Sequence, residues 1–173
     1  MCGFVVIRSK NLTDSMTLQK MQKNISHRGD DDSGIVFVDT ENNYRVFDSK
    51  SLNKLFYTGF AFQRLSIQDL SISGHQPMIS ENKRFLIVFN GEVYNFKEIR
   101  KELISIGYKF YSNSDTEVVL KLYELYSEKM LDFLNGMFSL VIHDRLKDEF
   151  FIARDRLGIK PLYYYSNNDN FFI

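Results

Sequence analysis

The second residue of the chain is a cysteine, preceded by Met1 and followed by Gly3. An initiator methionine is commonly removed when the next side chain is small, which would leave Cys2 with a free α-amino group. Such an amine titrates near ~7.7–8.0 and a thiol near ~8.5, so the amine can take the thiol proton without a histidine. Cys2 is a candidate nucleophile that carries its own base, although a lone cysteine here is more often an ordinary buried residue.

Asn90 and Gly91 follow an apolar run predicted to be a strand. A side-chain amide beside a glycine backbone N–H can donate two hydrogen bonds to an oxyanion. The more common role of such a pair is a tight hairpin turn. A helix is predicted to begin at Asn95, which weakens the hairpin interpretation.

Arg64 and Asp115 are charged residues at the ends of predicted elements. Arg64 ends a long apolar strand, where its guanidinium can bind a substrate carboxylate with two parallel hydrogen bonds or form a surface salt bridge. Asp115 lies at a helix start, where a carboxylate usually satisfies backbone N–H groups and the helix dipole. Holding a substrate ammonium is its rarer role.

The three histidines, His27, His75 and His143, have no spacing that resembles a zinc site, so we expect no bound metal. His27 precedes Arg28 and Gly29, and this segment suits a helix C-terminus as well as a functional loop. A cysteine hydrolase that uses one of these histidines as its base is an alternative.

Short apolar runs rich in Val, Ile and Phe predict strands over 3–7, 34–38, 55–62, 85–89, 137–142 and 150–153. Helices are predicted over 13–26, over 95–106 with a capping box of Asn95 and Glu98, and from Ser114 with Glu117. The last helix shows an apolar stripe formed by Val118, Val119, Leu122, Leu125 and Tyr126. Strands and helices grouped apart favour an α+β fold with antiparallel sheets.

Composition indicates one compact domain over residues 1–173, since 44% of the residues are hydrophobic. Acidic and basic residues number 22 each, so neither nucleic acid nor a membrane surface is favoured as a partner. A single cysteine, no secretory leader and no apolar run near the ~20 residues of a membrane span predict a cytoplasmic location. The apolar ending, Phe171 to Ile173, suggests a longer parent protein.

Several longer motifs occur in a fixed order along almost the whole chain. They are Met1-Cys2-Gly3, His27-Arg28-Gly29, Ser33-Gly34, Arg64-Leu65-Ser66-Ile67, Gln76-Pro77-Met78, Phe89-Asn90-Gly91-Glu92-Val93-Tyr94-Asn95, Ser114-Asp115-Thr116-Glu117, Asn135-Gly136-Met137-Phe138 and the run from Ala153 to Tyr163. In these motifs the chain resembles the glutaminase domain of class II glutamine amidotransferases of the asparagine synthetase type.

The resemblance implies a four-layer αββα sandwich of two antiparallel sheets, the N-terminal nucleophile hydrolase fold. It implies hydrolysis of glutamine by Cys2, with Asn90 and the Gly91 N–H as the oxyanion hole. Substrate-binding residues would be Arg64 for the α-carboxylate, Glu92 and Asp115 for the α-ammonium, and Leu65 and Ile67.

The resemblance also implies a C-terminal synthetase domain that uses ATP and Mg and receives the ammonia, and a possible homodimer. The phosphate-binding loop of that domain does not occur in these residues, so the chain itself would need no cofactor. The acceptor would be aspartate, or a sugar or another carboxylate, and a non-catalytic docking domain is an alternative. The family proline after Gly29 is replaced by Asp30, which removes a stiffening residue from that loop.

Overall fold

The computed structural model describes residues 2–48, 53–66 and 71–173. The chain forms two compact units. The first unit contains Met1–Leu65 and Leu162–Ile173, and the second contains Ser66–Pro161.

The first unit is built on a six-stranded antiparallel sheet with the strand order β3-β2-β4-β1-β10-β9. Its elements are β1 (Gly3–Asp14), α1 (Ser15–Asn24), a 3-10 turn (Ser26–Arg28), β2 (Asp32–Val38), β3 (Tyr44–Val46), β4 (Leu55–Arg64), β9 (Tyr165–Ser166) and β10 (Asn170–Phe172). Its core contains Ile7, Leu18, Ile35, Phe37, Phe56 and Ala61. The short strands β3 and β9 were not predicted, because two or three residues are too few to show a period.

The first helix begins two residues later than predicted. Thr13 and Asp14 belong to β1, which pairs with β4 and shifts its register between Arg8 and Thr13. The Asp14 side chain caps α1 by accepting from the backbone N–H groups of Met16 and Thr17. The cap therefore fixes the helix start, and the expected helix over 13–26 is too long at both ends.

The second unit contains a four-stranded antiparallel sheet with the order β5-β6-β7-β8. Its elements are a 3-10 turn (Ile72–Gly74), β5 (Met78–Ile79), β6 (Phe85–Val93), α2 (Phe96–Ser105), α3 (Asp115–Tyr126), a 3-10 helix (Ser127–Asp132), β7 (Gly136–Asp144) and β8 (Glu149–Arg154). Ile87, Phe89, Leu140 and Ile142 from the sheet pack with Val118, Val119 and Leu122 from α3 in one core.

The hairpin interpretation of Asn90 and Gly91 is wrong, because both residues lie inside β6. They pair with Ser139 and Phe138 of β7. A Cβ atom at Gly91 would overlap the backbone carbonyl of Met137, so only glycine allows this close approach of the two strands.

The predicted helix caps have different outcomes. Asn95 forms no capping hydrogen bond with α2; its side chain instead binds the carbonyl of Phe133 and the N–H of Asn135. The expected capping box there is therefore wrong, since tertiary partners compete for the same amide. Ser114 does cap α3, accepting from the N–H of Thr116.

The expected one-sided apolar stripe of α3 is also wrong in part. Every residue from Asp115 to Leu122 is buried, while Leu125 and Tyr126 are each 39% exposed. The first two turns are thus enclosed on all sides, which explains why charged residues of these turns are buried as well. No helix in the described ranges is long and apolar enough to cross a membrane.

Candidate active site

Cys2 lies directly before β1 and is partly buried. Its sulfur atom accepts from the Leu65 N–H at 3.4 Å and lies 3.5 Å from the Leu65 carbonyl oxygen. The antiparallel register explains this contact, because Gly3 pairs with Gln63 near the end of β4. The start of β1 and the end of β4 therefore hold the thiol at one end of the two central strands of the first sheet.

The segment His27 to Gly29 lies against this end of the two strands. The Arg28 Nε donates to the Cys2 carbonyl at 3.4 Å. A Cβ atom at Gly3 would overlap the Arg28 side chain, and one at Gly29 would overlap the backbone of Arg64. The sequence of this segment suits both a helix end and a functional loop, and the structure places it against the candidate nucleophile.

Arg64 is the last residue of β4 and is 7% exposed. It pairs with Asp32 at the start of β2, and its carbonyl accepts from the Asp31 N–H. The arginine is therefore buried and does not lie on the open surface. The structure brings Arg64 and Leu65 to the same end of the two central strands as Cys2.

Asn90 belongs to the second unit and is 5% exposed. Within the described part of the chain, no hydrogen bond engages its side-chain amide. A buried amide normally has partners, so an unengaged one suits a site where a ligand supplies the acceptor. Next to it, Gly91 lacks a side chain because the backbone of Met137 and Phe138 occupies that space.

Glu92 and Asp115 form a pair of neighbouring carboxylates. Asp115 is 6% exposed, and its Oδ2 atom accepts from the Val93 N–H at 3.0 Å. Burial raises the pKa of Asp115 to about 6; the Val93 and Thr116 N–H groups oppose that rise and the charge of Glu92 adds to it. No ion pair engages either carboxylate among the described residues. A pair of this kind attracts a cation such as an ammonium group.

Gln76 connects the elements that carry these side chains. Its side chain accepts from the Phe89 N–H at 2.7 Å and donates to the Phe89 carbonyl and the Thr116 hydroxyl, each at 3.2 Å. Gln76 therefore connects two neighbouring positions of the candidate residues. Phe89 directly precedes Asn90 in β6, and Thr116 directly follows Asp115 in α3. The sequence shows Gln76 only as part of a motif, because its partners Phe89 and Thr116 lie far from it along the chain.

The remaining predicted residues have varied outcomes. Ile67 lies outside the described residues. His143 is fully buried, with its Nε2 atom 3.3 Å from Asp148 and its ring 4.6 Å from that of Phe150. In the described ranges, no group of three or more His, Cys, Asp or Glu side chains can hold a metal ion.

The candidate residues therefore form two groups. Cys2, Arg64 and Leu65 lie together in the first unit, and Asn90, Gly91, Glu92 and Asp115 lie on β6 and α3 of the second unit. The first group offers a nucleophile beside an arginine. The second offers an amide donor beside two carboxylates. Each group lies within its own unit.

A family model described as "Glutamine amidotransferase domain" matches residues 1–173. The chain belongs to this family. It is 38% identical to asparagine synthetase [glutamine-hydrolyzing] 1 of Bacillus subtilis over 99% of its length, covering 25% of that protein. It is 36% identical to a putative asparagine synthetase [glutamine-hydrolyzing] 2 of Methanocaldococcus jannaschii, again over 99% of its length and 33% of that protein. The chain thus spans a quarter to a third of these relatives.

Solved structures of other proteins share the fold. The glutamine phosphoribosylpyrophosphate amidotransferase of B. subtilis, in complex with ADP and GMP, superposes with a TM-score of 0.83 at 20% identity. The match covers 99% of this chain and 41% of that one. The expected α+β class with two antiparallel sheets is confirmed, and the fold is that of the N-terminal nucleophile amidotransferases.

Proposed function

We propose that the chain hydrolyses the side-chain amide of glutamine to glutamate and ammonia, with Cys2 as the nucleophile. The position of Cys2 carries this proposal: it is the second residue, its thiol lies against the Leu65 backbone, and the buried Arg64 is adjacent. The family membership supports it independently.

The reaction has two steps after removal of Met1. In the first, the Cys2 sulfur bonds to the amide carbon, the α-amino group accepts the thiol proton, and the proton passes to the leaving nitrogen, which departs as ammonia. In the second, the same amine takes a proton from water, the hydroxide oxygen bonds to the thioester carbon, and the carbon–sulfur bond breaks. The amine then returns its proton to the Cys2 sulfur, and glutamate is released. Two easier steps thereby replace one difficult amide cleavage.

Asn90 and the Gly91 N–H are the proposed donors to the oxyanion of each tetrahedral intermediate. The unengaged, buried amide of Asn90 supports this role. Loss of one such donor typically lowers the rate by about 10²–10³. The Asn90→Ala variant should therefore lose turnover while still binding glutamine, and near-normal turnover would refute the role.

Recognition of glutamine is assigned to the charged side chains. Arg64 would bind the α-carboxylate, and Glu92 with Asp115 would bind the α-ammonium, because these two carboxylates lack a cation in the described structure. Leu65 and Ile67 complete the proposed substrate-binding set.

The parent protein would be a longer amidotransferase, since the similar asparagine synthetases are three to four times the length that this chain covers. Its C-terminal domain would use ATP and Mg to activate an acceptor, most simply aspartate for asparagine synthesis, whereas the glutaminase domain needs no cofactor. A sugar or another carboxylate is the alternative acceptor. A cytoplasmic homodimer is part of this proposal.

Intact mass and glutamate release, measured on one preparation, test the proposal. Protein that lacks Met1 should form glutamate from glutamine. Processed protein without turnover would favour a non-catalytic docking domain. A version with extra residues before Cys2 should be inactive; if it keeps full activity, the α-amino group is not the base and a histidine-based cysteine hydrolase is favoured.

A further inference from the structure

A cavity of about 240 Å³ lies in the second unit between α3, β5 and the segment around Tyr111. It is lined mainly by apolar surface, including Met78, Ile79 and Leu120. Pockets for drug-sized ligands span roughly 300–1,000 Å³, so this one suits a smaller metabolite. None of the residues assigned to glutamine hydrolysis lines it.

Lys121 lines this cavity although only 8% of the residue is exposed. Its nearest charged partner is Glu117, whose carboxylate oxygen is 3.7 Å from the ammonium nitrogen, beyond hydrogen-bond distance. Glu117 is itself occupied, because it accepts from the N–H groups of Tyr111 and Ser112 and from the Ser112 hydroxyl. Across the described ranges, the Lys121 ammonium donates no hydrogen bond.

Three aromatic rings surround the same ammonium. Its nitrogen lies 5.4 Å from the ring centre of Phe110, 5.8 Å from that of Tyr111 and 6.0 Å from that of Tyr108. Ring faces stabilise the positive charge at such distances but do not replace hydrogen-bond acceptors. The residue is buried, but its ammonium nitrogen is not among the fully enclosed polar atoms without a partner. A ligand carboxylate in the cavity could therefore accept a hydrogen bond from it.

Two further carboxylates, Glu81 and Glu124, line the cavity. Glu81 accepts from the Tyr111 hydroxyl at 2.7 Å. Burial raises the pKa of Glu124. The charge of Lys121 lowers this pKa and the charge of Glu81 raises it, so both groups are close enough to act on Glu124. No described residue forms an ion pair with the Glu124 carboxylate.

These charges select the kind of ligand. A simple anion would gain from Lys121 but meet Glu81, Glu117 and Glu124, whereas a simple cation would be repelled by Lys121. A zwitterion satisfies both ends. We propose that this cavity is a second amino-acid site, which binds an α-amino acid with an apolar side chain through its carboxylate to Lys121 and its ammonium to Glu124 and Glu81.

Calorimetric titration of the Cys2→Ala chain tests this, since that variant keeps glutamine intact. The probes are L-leucine, L-methionine and L-phenylalanine, each with and without saturating glutamine. At least one of the three amino acids should bind both in the presence and in the absence of glutamine. For that amino acid, its amide and its deaminated acid should each bind about tenfold or more weakly, since each lacks one charged contact.

The variants Lys121→Met and Glu124→Gln should lower the affinity by about 10–100-fold, and Lys101→Met, at an exposed position of α2, should not change it. If Lys121→Met fails to fold, Glu124→Gln and the two ligand analogues decide the question. The proposal is overturned if no probe binds up to about 10 mM, which is very weak binding. It is equally overturned if glutamine displaces the probe or if Glu124→Gln binds it unchanged.

Discussion

Asp115 and Asp155 are buried to the same extent, each 6% exposed, yet their environments are opposite. Burial alone would raise the pKa of Asp155, but the backbone N–H groups of Lys160, Ile159, Phe138 and Leu157 outweigh it, so that pKa lies below its usual range. Asp115 has fewer donors and a carboxylate neighbour, and burial raises its pKa to about 6.

The difference separates a carboxylate that backbone N–H groups fully satisfy from one that keeps a raised pKa in the folded protein. Asp155 is satisfied by the protein, and it organises the loop after β8 around itself. Ionised Asp115 destabilises the folded protein, because its burial and the charge of Glu92 outweigh the backbone N–H groups that it accepts from. Perturbed carboxylates of this kind cluster at functional sites.

The largest effect is expected from Asp155→Ala. Its removal leaves four buried or half-buried N–H groups without their acceptor, and each such group costs about 1–3 kcal/mol. We expect a loss on the order of 4 kcal/mol or more in the free energy of unfolding, measured by urea titration. A loss below about 1 kcal/mol would mean that Asp155 does not organise the loop.

Asp115→Asn should raise the free energy of unfolding and strongly weaken glutamine binding. The pKa of Asp115 is about 6 when folded and 3.8 in the unfolded reference, so folding becomes less favourable as the pH rises between these values. At pH 8 the variant should therefore gain on the order of 1–3 kcal/mol, and the gain should shrink towards pH 4. The Michaelis constant for glutamine should rise about 10–100-fold.

Both measurements are needed for Asp115→Asn. A variant that is more stable but binds glutamine unchanged would show that Asp115 is strained for another reason. A variant that is less stable at pH 8 would show that its hydrogen bond to Val93 outweighs its burial.

The pH profile of kcat/KM should show smaller changes than the Michaelis constant of Asp115→Asn. It is more diagnostic, because it separates the titration of the Cys2 amine from that of Asp115. Protonation of the Cys2 amine should lower kcat/KM about tenfold per pH unit below ~7.7. Below about 6, protonation of Asp115 should steepen the fall, because the site loses a charge for the substrate ammonium. Asp115→Asn should abolish the second break only; its persistence would assign that break to another group.

The smallest effect is expected from Glu92→Gln. Glu92 is only partly buried, so its charge is screened by water. The Michaelis constant should rise only a few-fold, and the lower break in the pH profile should move to lower pH, because one cause of the raised pKa is gone. Glu98→Gln, at an exposed position of α2, is the control and should leave both unchanged.

The sequence predicted the strands best where apolar runs were long. β4, β6 and β7 were each found, but all extend beyond the predicted ends because Arg64, Asn90 and Asp144 are polar residues inside strands. Period and hydrophobicity do not detect such residues, and in β4 and β6 they are the candidate site residues. Functional positions are where local sequence rules are expected to fail.

The scaffold of the site was not predictable in the same way. Gln76 is 13 residues from Phe89 and 40 from Thr116, and only the tertiary fold makes these three residues neighbours. The contact between Cys2 and Leu65 joins residues 63 positions apart and follows from strand register. The order of the motifs indicated the candidate site residues, but it did not indicate the contacts that position them.

The most direct test of the account is covalent labelling by a glutamine analogue in which an electrophilic diazoketone replaces the amide, followed by peptide mass mapping. The account predicts one label per chain, on the Cys2 sulfur, that glutamine prevents and that an N-terminal extension abolishes. A label on another residue, or equal labelling of the extended protein, would contradict the central claim that Cys2 attacks glutamine with its own α-amino group as the base.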